Sequence, residues 1–471
     1  MTADTTRPPA SATETDEMSA KDHMVWRLES GRRARPIIVV VMFFEDEVSW
    51  EEFTLWHEGL SAAMPRLRSR VVPGRGPGRR PRWVPDEEFS LLNHLQRVEV
   101  GGEGTRRDTF DTAEVLAEVP FPQGRSPWNG YLLTGLEDGG TAYVLKISHS
   151  IADGIRLREI FLRQATAETG TRSRGAPAAG APWQVVSPMP AGAASTPRGE
   201  RPVPSSPRGR RLLKAARFLG RATLDMLDLP HPAPAAGGQF RRHFFTTTVP
   251  LSAVKKLATA SGGTVHDALV AAVTEGCRRY NTHHGVRRRR MRVFSPYGRP
   301  PQATAHDSRS QGNHWFIVRF AVQAELLDVH TRIRAVRRAV RDSYHHDSAD
   351  WMGAIARLCP LVPRPLFEAV FLRLCATHEF VVSNMPGPTS AASINGHRIG
   401  EIYAIAPTLG SAVTVTLMSY QDTCHIAVNV DPTVIPDSHL VADHICRAVR
   451  ELADPAGPRP ADGGKTGRPG W

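Results

Sequence analysis

The stretch Thr141-Ala-Tyr-Val-Leu-Lys-Ile-Ser-His149, followed by Ser150-Ile-Ala-Asp-Gly154, decides how the rest of the chain is interpreted. Its first nine residues predict a buried strand whose period of two places Tyr143, Leu145, Ile147 and His149 on one face. The next five residues turn the chain into a helix, and the glycine at 154 permits a sharp turn. An imidazole therefore ends a buried row of side chains, with the carboxylate of Asp153 four residues further on.

This placement makes His149 a candidate base. An imidazole titrates near pH 6.5, so it can remove a hydroxyl proton at neutral pH. A histidine at the end of a strand can equally be structural, and the short H-x-x-x-D-G pattern does not decide between the two. The same periodicity directs Ser148 to the opposite face of the strand.

Length and composition describe a globular chain that carries excess positive charge. The 471 residues suffice for two ordinary domains or one two-lobed domain, and 41% of them are hydrophobic. The five cysteines are scattered, which argues against a disulfide framework or a zinc site and fits a reducing cytoplasm. The net charge of +12 comes largely from arginine clusters, which we interpret as solvated loops. No nucleic-acid-binding motif accompanies them, so nucleic acid is not an expected partner.

No segment predicts a membrane span or a signal peptide. The polar start of the chain lacks an apolar core of the kind that signal peptides have. The longest apolar run, residues 37–44, has the length of a strand and is far shorter than the ~20 residues that a spanning helix needs.

Predicted strands and helices are mixed without regular alternation, which favours an α+β architecture in two halves. Residues 1–17 are expected to be a disordered tail, 18–169 an N-terminal lobe that contains the histidine motif, and 454–471 a flexible tail. Residues 170–239 are rich in Pro, Ala and Arg and predict a linker with a basic amphipathic helix at 210–229 within it. That helix is interpreted as a crossover helix, with a membrane-surface helix as the alternative. Residues 240–453 are expected to form the C-terminal lobe.

Six landmarks along the chain resemble, in order, those of the bacterial wax ester synthase/diacylglycerol acyltransferase family. The motif around His149 is similar to the family's H-H-x-x-x-D-G segment. The other landmarks are Met18-Ser-Ala-Lys-Asp22, Ser126-Pro-Trp128 with the stretch to Leu136, Gly263-Thr-Val-His-Asp-Ala268, Ser295-Pro-Tyr-Gly-Arg299 with Gly312-Asn313, and Ser383-Asn-Met-Pro-Gly-Pro388. The resemblance covers roughly residues 18–453 outside the linker.

The resemblance implies a fold and an activity. The wider superfamily includes chloramphenicol acetyltransferase and peptide-synthetase condensation domains, so the expected fold is two α+β lobes with mixed sheets and a tunnel between them. The implied activity is transfer of a long-chain acyl group from acyl-CoA, as co-substrate, to an alcohol or diacylglycerol, giving wax ester or triacylglycerol. No bound cofactor or metal is expected. The implied location is the cytoplasm, with peripheral contact to the inner face of the membrane or to lipid bodies as an option.

The resemblance also implies roles for individual residues. His149 would be the general base, and Asp153 a structural residue paired with an arginine, for which Arg299 is the candidate. Asn313 is a candidate oxyanion donor, and Arg287 to Arg290 are candidates for holding the CoA phosphates. Asp267 lies three residues after Thr264 and predicts a helix-capping box.

The sequence departs from the family pattern at two positions. Ser148 replaces the first histidine of the pair, and His266 replaces the asparagine that precedes Asp267. These departures leave two alternatives open: an acyltransferase or condensation-like enzyme of specialised metabolism on the same fold, and a non-catalytic relative that acts as a binding protein.

Overall fold

The computed structural model describes most of the chain between residues 16 and 453. The described residues are 16–29, 31, 35–74, 79–154, 156–158, 166–167, 229–231, 241–298, 315–346 and 351–453. Arg299, Asn313 and the predicted helix at 210–229 therefore lie outside the described residues, as do both tails.

The first part of the chain contains strands and helices in irregular order among its described residues. Its strands are β1 Asp16–Glu17, β2 Ile37–Phe44, β3 Ser69–Val72, β4 Arg82–Pro85, β5 Leu95–Glu99, β6 Trp128–Thr134, β7 Ala142–Ser148 and β8 Thr166–Ala167. Its helices are α1 Ala20–Glu29, α2 Trp50–Ala63 and α3 Arg106–Glu118. The predicted strand at 37–44 is confirmed, and α2 begins after a capping box formed by Ser49 and Glu52.

The second part contains the longer helices. Its strands are β9 His243–Pro250, β10 Arg290–Gly298, β11 Trp315–Gln323, β12 Phe380–Pro386, β13 Ala392–Ile394, β14 His397–Ile405, β15 Val413–Tyr420 and β16 Thr423–Val430. Its helices are α4 Leu251–Ala260, α5 Val265–His283, α6 Val329–His346, α7 Trp351–Leu358, α8 Arg364–Cys375 and α9 Ser438–Arg450. The predicted capping box at the start of α5 is confirmed, because Thr264 and Asp267 bond each other's backbone amides.

Two large sheets organise these elements. One has seven strands in the order β5-β6-β7-β2-β14-β13-β8, and the other has six in the order β11-β10-β12-β15-β16-β9. Each mixes parallel and antiparallel pairs, which confirms the α+β, mixed-sheet prediction. Strands β13 and β14 come from the later part of the chain and pair within the sheet of the earlier part, so residues 240–453 contribute strands to both sheets.

The central strands are buried on both faces. In β2 every residue is buried, and alternate residues pack into two different cores. A continuous run of apolar residues is the sequence pattern of such a strand. One core lies between the seven-stranded sheet and α2, and the other lies against α3 and reaches Phe244 of β9. A third core packs α5 and α9 on the six-stranded sheet.

Candidate active site

The histidine motif lies where β7 ends, beside a cavity between the two large sheets. Tyr143, Leu145 and Ile147 pack in one core, and Val144 packs in the other, so the predicted alternation of faces is confirmed. The backbone amide of His149 donates a hydrogen bond to the carbonyl oxygen of Pro36 at 2.9 Å, which holds the residue beside the start of β2. Its side chain is partly exposed and lines the cavity.

The cavity has a volume of about 210 Å³ and takes its walls from both sheets. Ile38 and Ala404 come from the seven-stranded sheet, and Phe294 and Val381 come from the six-stranded sheet. Polar groups converge at a few points of an otherwise mainly apolar lining, as in many small-molecule sites. They belong to His149, Asp153, Arg158, His266, Tyr297, Ser383, Asn384 and Thr408, among others.

Asp153 and Gly154 shape the backbone that follows the histidine. Asp153 is buried, and its Oδ1 accepts a hydrogen bond from the backbone amide of Arg156 at 2.9 Å. Gly154 is not among the glycines with positive φ, so the expected use of glycine's conformational freedom for a sharp turn is wrong. A Cβ atom here would lie 2.8 Å from the Sδ atom of Met385, so a larger residue would require that flexible side chain to move.

A buried ion pair supports the loop after His149. Arg66 and Asp22 lie 3.2 Å apart, and both side chains are almost fully buried. The Arg66 guanidinium also donates to the carbonyl oxygens of Ser150 and Ile151 at 3.5 and 3.3 Å. Interpreting every clustered arginine as solvated is therefore wrong for Arg66. The charge pattern does not indicate this role, although Asp22 lies in one of the family landmarks.

Ser148 lies on the other side of the strand, away from the cavity lining, and contacts a partly buried carboxyl group. Its hydroxyl donates to Oε2 of Glu29 and lies 2.7 Å from the hydroxyl of Ser150. Burial raises the pKa of Glu29 to about 8, and the hydrogen bond from Ser148 opposes that rise. Ser148 therefore contacts Glu29 and Ser150 behind the motif, and it is not among the described residues that line the cavity.

His266 is brought to the same cavity as His149, on the first turn of α5. It is buried, its Nε2 atom lies 3.1 Å from the hydroxyl of Ser295, and burial lowers its pKa. Asp267 is not among the residues that line the cavity. It caps α5 and lies 3.4 Å from Arg337.

Two parts of the lining were not identified as site residues from the sequence. Residues 383–386 enter the cavity from β12, and the segment 404–409 follows β14 into the loop before β15. The first of these overlaps the Ser-Asn-Met-Pro-Gly-Pro landmark, which was the available signal. Arg158 was also missed; it reaches across to the carbonyl oxygen of Pro386 at 2.7 Å.

A second, mainly apolar chamber adjoins this cavity. The two share Ile38, Gly154, Arg158, Met385 and Ala404 in their walls. The rest of its lining comes largely from side chains of β2, β13, β14 and β15, among them Val40, Ile394, Ile402 and Met418.

No cluster of His, Cys, Asp and Glu side chains in the described part of the chain is arranged to bind a metal ion. None of the described helices combines the length and the hydropathy that crossing a bilayer requires.

Relatives and solved structures agree with this architecture. A protein of Mycobacterium tuberculosis H37Rv named "Putative diacyglycerol O-acyltransferase Rv2484c" is 26% identical over 463 residues, which cover 94% of this chain and 93% of the relative. The wax ester synthase/diacylglycerol acyltransferase of Marinobacter aquaeolei VT8 superposes with a TM-score of 0.62 at 16% identity, covering 93% of this chain and 98% of that one. The first condensation domain of the CDA synthetase gives a TM-score of 0.60 at 16% identity, covering 95% and 98%.

Two family models match most of the chain. Residues 18–269 match the wax ester synthase/diacylglycerol acyltransferase catalytic domain, and residues 311–453 match the C-terminal domain of the same family. The resemblance drawn from the sequence landmarks is thereby confirmed. The chain belongs to the wax ester synthase/diacylglycerol acyltransferase family and is an acyltransferase.

Proposed function

We propose that this enzyme transfers a long-chain acyl group from acyl-CoA to the hydroxyl of an alcohol or a diacylglycerol, with His149 as the general base. The observation that carries the proposal is the position of His149 in the wall of a cavity bounded by both sheets. A base must lie within reach of the proton that it removes, and a cavity wall allows a bound hydroxyl to approach.

The proposed reaction is a direct transfer. His149 takes the proton of the acceptor hydroxyl while the oxygen attacks the thioester carbonyl carbon. The tetrahedral intermediate then breaks its carbon–sulfur bond, and the imidazolium returns the proton to the departing thiolate. The products are an ester and free CoA, so the step needs no covalent acyl-enzyme. Asn313 as the oxyanion donor and Arg299 as the partner of Asp153 are parts of the same proposal.

The apolar chamber favours a long acyl chain over an acetyl group as the group that is transferred. Its walls are almost entirely hydrocarbon, and it shares Gly154, the residue after the motif aspartate, with the wall of the main cavity. Each methylene group that leaves water for such an environment contributes about 0.8 kcal/mol of favourable transfer free energy. A chain of many carbons therefore gains binding free energy that a short one lacks.

Acyl-CoA as the donor has indirect support. A structural neighbour, the starter condensation domain of rhizomide synthetase, was solved in complex with C8-CoA and Leu-SNAC. In this chain none of Arg287 to Arg290 lines the cavity, and Arg288 donates to the carbonyl oxygens of Leu229 and Pro230. Binding of the CoA phosphates by this cluster would therefore take place at the protein surface, outside the cavity.

A second candidate function is an acyltransferase of specialised metabolism with a polar acceptor. The observation that favours it is the pair of basic side chains, His266 and Arg158, in the cavity wall. These groups could bind polar atoms of an acceptor that a plain fatty alcohol does not have.

Product analysis with purified full-length protein tests both functions. Acyl-CoAs from C4 to C18 are offered with hexadecanol, dioleoylglycerol and a panel of polar alcohols, and esters are identified by mass spectrometry. We expect ester formation to rise with donor chain length, and His149→Ala to lower kcat about 10²- to 10⁴-fold. His439→Ala, at an exposed histidine outside the cavity lining, serves as the control and should keep the wild-type rate. A His149→Ala variant with wild-type turnover would refute the role of the base, and ester formed only on polar alcohols would favour the second function.

A further inference from the structure

Helices α7 and α8 present one side to the cavity and the other side to the surface. Their inner residues pack in a core with Met24 and Leu28 of α1. Met352, Phe371 and Cys375 on this inner side also line the main cavity. Anything that binds the outer side of these two helices is thus only one helix layer away from the candidate site.

The outer side is apolar where a surface helix is normally polar. Four large hydrophobic side chains between residues 358 and 370 are at least half exposed: Leu358 at 58%, Leu361 at 73%, Leu366 at 56% and Val370 at 50%. Leu366 and Val370 are four residues apart and so lie on one face of α8. Isolated exposed leucines are common, but a group of this kind marks an interaction surface.

Among the described residues 351–375, the exposed charges have one sign. Arg357 and Arg373 are exposed and Arg364 is partly exposed. The one carboxylate between residues 351 and 375, Glu368, is buried on the inner side. Apolar side chains flanked by arginines are complementary to a bilayer with anionic headgroups. A second copy of the chain would bring the same positive charge to the interface, which disfavours self-association.

The connection between the two helices is fixed from inside. The Arg27 guanidinium donates to the backbone carbonyl oxygens of Cys359 and Val362, and it lies 5.9 Å from the centre of the Phe367 ring. The exposed Leu361 is therefore presented on an anchored turn. Binding through a preorganised surface loses less conformational entropy than binding through a segment that must first become ordered.

We propose that the outer face of α7 and α8, defined by Leu358, Leu361, Leu366, Val370 and the three arginines, docks on the surface of a bilayer that contains anionic lipids. The docking proposal goes beyond the proposed reaction and does not need it to hold. Docking would place the cavity wall next to the lipid phase, where acyl chains and lipid alcohols are concentrated.

Vesicle flotation with the full-length protein tests the docking face. The vesicles are pure phosphatidylcholine, or phosphatidylcholine and phosphatidylglycerol at 7:3. We expect Leu361→Ser/Leu366→Ser/Val370→Ser to lower the apparent affinity for both vesicle types about tenfold or more. The matched control is Leu55→Ser/Leu92→Ser/Leu327→Ser, at leucines that are 61%, 64% and 66% exposed elsewhere on the surface, and it should bind within about twofold of wild type.

The arginines are tested separately. Each basic residue near an anionic surface contributes about 1 kcal/mol, which is about a fivefold change in affinity. Arg357→Gln/Arg373→Gln should therefore weaken binding to the anionic vesicles by about twenty- to thirtyfold. Its binding to pure phosphatidylcholine should change little.

Three outcomes would overturn the proposal: wild-type binding by the serine triple variant, equal loss of binding by the control triple, or light scattering that shows a wild-type dimer which the serine triple converts to monomer. Circular dichroism of each variant establishes that it is folded. A protein that binds vesicles as expected but forms no ester would contradict the proposed reaction and leave the docking proposal intact.

Discussion

At the scale of single residues, the ion pair between Asp22 and Arg66 supports the loop that follows His149. Both groups are buried, and Arg66 also donates to two carbonyl oxygens of that loop. Removing one charge from a buried pair leaves the other uncompensated, which costs about 3–5 kcal/mol.

We expect Asp22→Asn to lower the free energy of unfolding by about that amount, measured by urea denaturation. The matched control is Asp138→Asn, because Asp138 pairs with Arg106 at 3.2 Å while both side chains are more than 40% exposed. A pair of this kind contributes about 1 kcal/mol or less. Equal effects of the two substitutions would show that the Arg66 pair does not support the loop.

Glu29 predicts a dependence of stability on pH. Burial raises the pKa of this carboxyl group from 4.5 to about 8, so between these values the folded chain holds a proton that the unfolded chain has released. The stabilising contribution of this group is therefore fully present below about pH 4.5 and is lost as pH rises through about 8. We expect Glu29→Gln to remain close to wild type at pH 4.5 and to become progressively more stable than wild type toward pH 8.

Thermal unfolding across this pH range measures the effect. Other buried carboxyl groups, such as Glu114 and Glu379, also have raised pKa values, so the wild-type profile alone is not diagnostic. The difference between Glu29→Gln and wild type isolates the one group, and the exposed Glu99→Gln provides the baseline. A difference that stays constant with pH would contradict the assignment.

The motif itself could be predicted at this scale, and its supports could not. Strand periodicity located His149 and directed Ser148 away from it, because alternation is a property of the local backbone. Arg66, Glu29 and Asp22 are far from residue 149 in sequence, and only the tertiary fold brings them behind it. The contact of Gly154 with Met385 shows the same limit, because these two residues are also far apart in sequence.

At the scale of elements, the close contact between α5 and α9 depends on Gly276. A Cβ atom at this position would lie 2.5 Å from Cα and 2.8 Å from the backbone nitrogen of Ile445 in α9. In a helix interior, alanine is intrinsically favoured over glycine by about 1 kcal/mol. The backbone contact should outweigh that preference, because a backbone moves less easily than a side chain.

We therefore expect Gly276→Ala to lower the free energy of unfolding by about 1–3 kcal/mol in total. Gly101→Ala is the control, because a Cβ atom there would meet no atom within 4 Å. Urea denaturation of both variants measures the difference. A more stable Gly276→Ala protein would mean that helix propensity decides and that the two helices can separate at little cost.

Elements with strong local signals were predicted well, and weakly apolar ones were missed. The start of α5 follows from its capping box, and β2 follows from its apolar run. Helix α3 was not predicted, although Thr105 and Asp108 form a capping box before it. Its many charged residues obscure the apolar periodicity in the sequence. Two of them, Arg107 and Glu114, form hydrogen bonds with the backbone of Phe244 in the other half of the chain.

At the scale of the whole molecule, the two halves are joined by more than a linker. Strand β14 pairs with β2 from Ile399 to Ile405, so the central strand of the first sheet needs a partner from the second half of the chain. The buried Arg242 guanidinium donates to the carbonyl oxygens of Ile37 and Arg35, at 3.3 and 2.6 Å. Pairing between strands so distant in sequence could not be read from local patterns, which is why the lobes were predicted as consecutive segments.

This arrangement predicts that the two halves unfold together. Five of the nine tryptophans lie between residues 18 and 169, so their fluorescence reports mainly on the seven-stranded sheet. Far-ultraviolet circular dichroism reports on both halves. We expect the two signals to give the same urea midpoint, because loss of either half removes partners from the other.

Gly276→Ala turns this expectation into a stronger test of the joined architecture. The substitution acts on α5 and α9, which pack on the six-stranded sheet, far along the chain from the five tryptophans. If the halves are coupled through β14 and Arg242, the fluorescence midpoint must fall by the same amount as the circular dichroism midpoint. A fluorescence midpoint that stays at the wild-type value would show two independent units, and a cavity wall built from both sheets would then have no cooperative fold to hold it together.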